Sequence, residues 1–445
     1  MAEHSTYTGD DKPLSGLLSN APERAILVGV EIPSMDWQML ESLDELEQLA
    51  TTAGIQCMDR LTQHLDRPHP ATLLGSGKVK ELAELAKFHD CDAVIFDLEL
   101  TPGQHRNLER ELEVQVLDRT ALILIIFGQR ARTREGRLQV ELAQVEYDLP
   151  RIARLWGHLS RQRGGTQQRG EGEQQIEVDR RLLRRQKERL LEDLDLVRAQ
   201  RQQHRERRQH VGPPVIALVG YTNAGKSTLL NRLASGTHSM AENKLFATLD
   251  PTTRRVRLGG GQEVLLTDTV GFVQRLPTIL VAAFRATLEE VAEADLLIHV
   301  VDASHPQVHL QIAAVEQVLE EIGAGGLPIV VALNKIDRLP TDMPLHLGGL
   351  AATLPNVQIS AMQGIGIDKL LHCVSETLTS QFVALDVLIP YDHGELVAQF
   401  HQFGTIESEE YEEGGTRLRG HVPGNHSGPF MTFQQPALMD SIESK

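Results

Sequence analysis

The sequence contains no apolar run approaching the roughly 18 residues that would span a bilayer. It opens on a polar segment of mixed charge, Met1 to Lys12, and shows neither an amphipathic anchor nor a lipidation signal. Both features predict a soluble, cytoplasmic protein. Cysteine is scarce as well. Cys57, Cys91 and Cys373 stand far apart, with no CxxC pair and no histidines at ligand spacing, which argues against a zinc module and predicts reduced, structural thiols. Positive charge is in deficit, with 44 Lys plus Arg against 61 Asp plus Glu for a net of −17, and taken alone that balance argues against a nucleic-acid binder. Its distribution argues otherwise. Arg151 to His210 carries 16 Lys plus Arg against 9 Asp plus Glu, a net of +7, leaving −24 on the rest of the chain.

With 445 residues and 41% hydrophobic content the chain can bury more than one core, and three or four folded units are expected. From Arg24 to Asp118 short apolar runs alternate with helix-like stretches (Trp37 to Thr52, Lys78 to Phe88, Pro102 to Leu112), which predicts a small α/β domain with a largely parallel sheet. Within it Gly75-Ser76-Gly77-Lys78 reads as a helix-opening turn; a second phosphate loop is the weaker alternative, because no convincing strand ends there. Arg130 to Leu159 reads as one helix kinked at Pro150, and Val178 to Gln209 as a second, strongly charged one. The connecting Arg161 to Gly172 is apolar-free, glycine-rich and arginine-bearing, so it cannot pack a core. It is either a solvated hairpin tip or a basic projection that follows a phosphate backbone.

The informative chemistry begins at Val215 to Val219, an apolar run that ends in Gly220-Tyr221-Thr222-Asn223-Ala224-Gly225-Lys226-Ser227 and is followed by a helix-like stretch from Thr228. This is the complete phosphate-loop pattern in strand–loop–helix context: backbone N–H groups face the β-phosphate, Lys226 neutralises β- and γ-phosphate charge, and the Ser227 hydroxyl ligates Mg²⁺. The base is specified downstream. Asn334-Lys335-Ile336-Asp337 follows the apolar run Ile329 to Leu333, and Asp337 can accept from guanine N1–H and the exocyclic amine, an arrangement that adenine does not offer. Ser360-Ala361-Met362 then supplies a backbone N–H toward guanine O6. Between these lies Asp268-Thr269-Val270-Gly271, whose aspartate holds Mg²⁺ through water and whose glycine N–H meets the γ-phosphate. Phe246-Ala247-Thr248-Leu249-Asp250-Pro251 supplies the other switch element, with Thr248 the candidate for the second hydroxyl on Mg²⁺ and Thr252 and Thr253 its rivals. Lys226, Thr248 and Gly271 are the expected catalytic residues. One absence stands out: the residue after Gly271, a water-orienting glutamine in the Ras pattern, is Phe272. A phenyl ring can neither orient water nor take a proton, which predicts slow turnover alone and stimulation by a partner.

These motifs, with Leu74 to Lys78 and the Arg161 to Gly172 tip, resemble the HflX-type ribosome-associated GTPases, a translation-factor-related branch with a hydrophobic residue in place of the catalytic glutamine. The resemblance runs from about residue 24 to 425. It implies a GTP-hydrolysing switch that binds the large ribosomal subunit and splits or rescues stalled ribosomes under stress, with Arg161, Arg163 and Arg169 approaching ribosomal RNA and the ribosome completing the catalytic site. The expected layout is α/β: a disordered tail (1–23), an N-terminal α/β domain (24–128), a basic helical hairpin (129–211), a P-loop GTPase domain (212–382), a small α+β C-terminal domain (383–425) and a tail (426–445), in a monomer. The rival readings are a regulatory GTPase acting on a protein or membrane-linked partner, and a P-loop ATPase acting on RNA.

Overall fold

A computed structural model of the chain describes residues 22–33, 39–154, 169–209, 213–234, 245–246, 248–258, 262–273, 279–280, 291–339, 353–380, 382–424 and 427–435. They fall into two compact units, each of which is α/β. One is drawn from Met1–Arg198, Glu242–Asp250 and Arg275–Ala286, and the other from Ala199–Ala241, Pro251–Gln274 and Thr287–Lys445. Among the described residues no helix is long and apolar enough to cross a membrane.

The first unit is built on strands β1 (Arg24–Glu31), β2 (Gln56–His64), β3 (Ala93–Phe96) and β4 (Gln115–Asp118), in the order β2-β1-β3-β4 and all parallel. Buried residues run without alternation through β1 and β3, the pattern of strands covered on both faces. Helices α1 (Met39–Ala53), α2 (Ser76–Phe88) and α3 (Pro102–Leu112) make the crossovers. The turn at Gly75 opens α2, and Lys78 in its first turn pairs with Glu81 at 2.9 Å, as expected of a helix-opening turn. Asp118 ends β4 and caps α4 (Arg119–Arg130), accepting from Ala121 N–H at 2.9 Å. Beneath it lies a buried polar cluster: Arg119 pairs with Asp97 at 2.6 Å and with Glu45, and Ser42 donates to Asp97 at 2.7 Å. Burial raises the thiol pKa of all three cysteines, Cys57 up to about 11, so each is a poor nucleophile.

The single helix expected over Arg130 to Leu159 is in fact interrupted. Helix α4 ends at Arg130, Thr133 caps a new helix α5 (Arg134–Asp148), and Leu149–Arg154 tightens into a 3₁₀ turn at Pro150. The charged helix also begins earlier than expected: α6 spans Arg169–Gln209, so the glycine-bearing Arg169 to Gly172 is helical and not part of a loop. Leu142 and Val145 of α5 pack with Leu183, Leu190 and Leu194 of α6, the seam of a helical pair.

In the second unit, strands β5 (Val215–Val219), β6 (Thr252–Arg257), β7 (Glu263–Asp268), β8 (Leu296–Asp302), β9 (Ile329–Asn334) and β10 (Asn356–Gln358) form a six-stranded sheet in the order β10-β9-β8-β5-β7-β6. Only β6 runs antiparallel, against β7. Its helices are α7 (Lys226–Leu233), α8 (Val308–Glu321) and α9 (Ile367–Thr379). The chain continues into a three-stranded antiparallel sheet, β11 (Phe382–Ile389), β12 (Thr405–Glu412) and β13 (Gly415–Pro423) in the order β11-β13-β12, with helix α10 (Gly394–Phe403). The segment read as a tail contributes here. Phe430, on the short helix α11 (Gly428–Met431), is buried and stacks edge-on against Phe400 at 5.3 Å, and Gln435 N–H donates to Asp386 O on the outer edge of β11.

Candidate functional site

Strand β5 is central in its sheet, and the chain order reverses across it, with β7 on one side and β8 on the other. The crevice outside the carboxyl ends of strands at such a reversal is where ligands of open α/β sheets bind. Gly220 to Ser227 leaves β5 at that point and turns directly into α7. The turn is closed by backbone pairing: Thr222 N–H donates to Phe272 O at 2.7 Å and Phe272 N–H to Gly220 O at 3.1 Å, so Tyr221 bridges Phe272 in parallel. Lys226 donates to the carbonyls of Gly220 and Tyr221, both at 2.9 Å, and is 6% exposed. Burial pushes its ammonium down to about 8, with the neighbouring Asp268 acting in the opposite sense. His299 on β8 is held near 4 by its own burial and by the Lys226 charge, so it is neutral at physiological pH.

Ser227 and Asp268, both expected around magnesium, meet: the hydroxyl donates to the carboxylate at 2.6 Å. Two hard oxygen donors at this spacing suit Mg²⁺. Thr269 donates to Leu218 O at 2.6 Å and fixes the β7 exit to β5. Gly271 has no room for a side chain, because a Cβ there would lie 2.8 Å from Thr222 Cγ2 and 3.0 Å from Lys226 Nζ. The Phe272 ring is 1% exposed. Thr252 and Thr253, the rivals for the second hydroxyl, lie exposed on β6, where Thr253 shares a hydrogen bond with Thr267 at 2.9 Å.

The base-reading segments come to the same end of the sheet, at the close of β9 and beyond β10. Asn334 joins them to the phosphate loop: its amide donates to Ala224 O at 2.8 Å and its carbonyl accepts from Ala361 N–H at 2.9 Å. Gly225 sits at φ +104°, and a Cβ there would lie 2.2 Å from the Asn334 amide nitrogen, so glycine is required twice over. Lys335 takes a left-handed φ of +64°, Asp337 is exposed in a one-turn 3₁₀ segment, and Ile336 N–H donates to Ile359 O at 3.3 Å. Ser360 is fully buried and accepts from Gln363 N–H, while Met362 is 74% exposed. Arg232 of α7 donates to Ala361 O at 3.1 Å and to Met362 O, bracing this loop.

The segment read as the second switch element makes contacts of its own. Phe246, Leu249 and Asp250 fold with the first unit. The Phe246 ring stacks edge-on against Phe127 with centroids 4.7 Å apart, Leu249 is buried, and the Asp250 carboxylate accepts from Arg132 N–H at 2.8 Å, Thr133 N–H at 2.9 Å and Thr133 Oγ1 at 2.5 Å. Those side chains make an aromatic contact and satisfy a helix N-terminus. Thr248 belongs to the same segment; Ala247, Arg161 and Arg163 lie outside the described residues, as does the Arg169 side chain.

Asp302, His299, Arg232 and Thr133 belong to none of the sequence motifs. Asp302 was the most accessible of them, an acidic residue closing the apolar run Leu296 to Val301 at the functional end of the sheet.

Family profiles match three consecutive stretches: GTP-binding GTPase N-terminal (residues 40–128), GTP-binding GTPase Middle Region (130–208) and 50S ribosome-binding GTPase (215–335). GTPase HflX of Escherichia coli K12 is 45% identical over 425 residues, covering 95% of this chain and 99% of that protein. GTPase HflX of Caldanaerobacter subterraneus is 44% identical, covering 91% and 92%. Among solved structures, a GTP-binding protein of Sulfolobus solfataricus in complex with GDP matches with 24% identity, 80% and 98% coverage, and a TM-score of 0.45. Near-complete coverage of such relatives at 44 to 45% identity, with a phosphate-loop pattern at the sheet end, identifies the chain as a GTP-hydrolysing member of the HflX GTPase family.

Proposed function

We propose that the chain is a GTP-driven factor of the large ribosomal subunit that splits or rescues stalled ribosomes under stress, with hydrolysis stimulated by the ribosome. The observation that carries this reading is the segregation of charge. The basic excess of the chain is concentrated in the segment holding α6, where Arg184, Arg185 and Arg189 are exposed, within a protein that is otherwise strongly acidic. A long helix offering arginines to a phosphate backbone needs no sequence readout and suits structured RNA. Arg161, Arg163 and Arg169 belong to the same basic segment of the sequence. The description of the profile over residues 215–335, 50S ribosome-binding GTPase, supports the same partner.

In the nucleotide site Ser227, Thr248 and Asp268 are the residues that would hold Mg²⁺, which would neutralise β- and γ-phosphate charge. Gly220 to Thr228 take the phosphates, Gly271 N–H takes the γ-phosphate, and Asn334 to Asp337 with Ser360 to Met362 take guanine. The protein acts in the cytoplasm as a monomer. Co-sedimentation with large ribosomal subunits in the presence of a non-hydrolysable GTP analogue tests the partner. Pelleting that depends on the analogue and weakens with salt is the expected result; protein that stays in the supernatant at low salt overturns the ribosome assignment and favours a protein partner.

A further inference from the structure

Asp302 closes β8 in register with Asn334, the last residue of β9, and Ala303 N–H donates to Asn334 O at 3.0 Å. The Asp302 side chain thus starts beside the loop that carries Lys335. Its Oδ2 pairs with Lys335 Nζ at 2.6 Å, and its Oδ1 accepts from Ser304 N–H at 3.0 Å and from Ser304 Oγ at 2.6 Å. Asp302 is 13% and Lys335 14% exposed. One carboxylate therefore has both oxygens occupied, one by its own turn and the other by the lysine.

We propose that Asp302 is a positioning residue for the guanine base, acting through Lys335. The inference rests on Asn334 to Asp337 being the base-reading loop. A lysine has four rotatable side-chain bonds, and fixing them costs rotamer entropy. The ion pair meets that cost before nucleotide arrives, because the ammonium is tethered to a carboxylate that Ser304 has already oriented. The four-carbon stem is then held between the backbone at residue 335 and the anchored ammonium. An apolar stem held in this way forms a wall on which a flat purine can pack, whereas an untethered lysine would have to be ordered with each binding event. The left-handed φ of +64° at Lys335 turns the backbone so that the side chain heads back toward β8. Asp302 touches no substrate atom; its contribution appears as slower loss of bound nucleotide.

The test measures the dissociation rate and Kd of a fluorescent GDP on the full chain carrying Asp302→Asn, Lys335→Met, both together, Ser304→Ala, or Asp337→Asn. Asp302→Asn is expected to raise the Kd about fivefold through faster release, the equivalent of roughly 1 kcal/mol. KM for GTP should rise in parallel without a matching fall in kcat. In the Lys335→Met background, which keeps the stem but has no ammonium, Asp302→Asn should have no further effect. Ser304→Ala should give a smaller change in the same direction and keeps the idea testable if Asp302→Asn folds poorly. Unchanged release from Asp302→Asn overturns the proposal, as does an effect of equal size with and without the lysine ammonium. Loss of guanine preference in Asp337→Asn reports on the base loop separately, so a failure of that reading is distinguishable from a failure of Asp302.

Discussion

The contacts of Asp250 carry the sharpest stability prediction. Its carboxylate accepts from Arg132 N–H, Thr133 N–H and the Thr133 hydroxyl, and that hydroxyl in turn accepts from Gly136 N–H at 2.9 Å. A carboxylate here satisfies two amides at the entry to α5 and interacts favourably with the positive end of the helix. Replacing a capping acceptor with alanine costs about 1 kcal/mol, and losing a charge at a helix N-terminus adds about 0.5 kcal/mol. Asp250→Ala should therefore destabilise the unit that contains α5 by about 1 to 2 kcal/mol. Asp250→Asn, which keeps an acceptor but loses the charge, should cost about half as much. Urea unfolding followed by a probe within residues 24–154 measures the loss, and amide hydrogen exchange at Arg132 and Thr133 locates it. Unchanged exchange at those two amides, or a cost under about 0.3 kcal/mol, would mean that the cap is replaced by water and that the segment is held by Phe246 and Leu249 alone.

Four other outcomes are expected. Gly225→Ala, whose Cβ would lie 2.2 Å from the Asn334 amide, should weaken GDP binding by at least about a hundredfold, because a buried hydrogen bond and an unstrained backbone are lost together; equilibrium GDP titration checks this. Lys226 has its pKa lowered to about 8 in the nucleotide-free protein, so a phosphate restoring its charge should draw in a proton at pH 8.5 and almost none at pH 6.5. Calorimetry in buffers of different ionisation enthalpy reads that difference, and no uptake at pH 8.5 would contradict the buried lysine. His299 has its pKa lowered to about 4, so the unfolded chain takes up its proton first and this residue's share of stability, about 3 kcal/mol, is lost as pH falls from about 6.5 to about 4. His299→Asn should therefore show a flatter fall in urea midpoint over that range. Finally, Phe272→Gln should not restore fast hydrolysis: single-turnover GTP assays should show no gain, because the side chain at this position is buried and its backbone is paired to Gly220 and Thr222.

The elements that were legible in the sequence are those whose signal is local. The strand before the phosphate loop, the loop itself and the Ile329 to Asp337 stretch each carry their chemistry within ten residues, and apolar runs placed them at strand ends. What was illegible depended on distant partners. The break between α4 and α5 falls in a stretch poor in apolar residues, Gly128 to Arg137, where periodicity places no boundary, and the acceptor that helps to cap the new helix is Asp250, well over a hundred residues away. The contacts of the segment containing Thr248 are of the same kind: Phe246 meets Phe127 and Asp250 meets Arg132 and Thr133, all more than a hundred residues earlier in the chain. The early start of α6 shows local propensity giving way: Gly170 and Gly172 argue for coil, and propensity is a weak prior. Asp302 went unnoticed for a different reason. A single aspartate after a strand has no motif of its own, and its meaning comes from a register that pairs it with Asn334.

The site has two halves that differ in what they can do without nucleotide. The base loop and the phosphate loop are joined by Asn334, with hydrogen bonds to Ala224 and Ala361, and by Asp302 holding Lys335. Their ordering cost is therefore met before binding, which favours tight retention of the base and phosphates. The γ-phosphate elements are already engaged elsewhere. The backbone of Phe272, one residue past Gly271, is tied to the phosphate loop, and Asp250, two residues past Thr248, is spent on the cap of α5. On the proposed reading, Phe272, which can neither orient water nor take a proton, leaves the final catalytic group to be supplied by the partner.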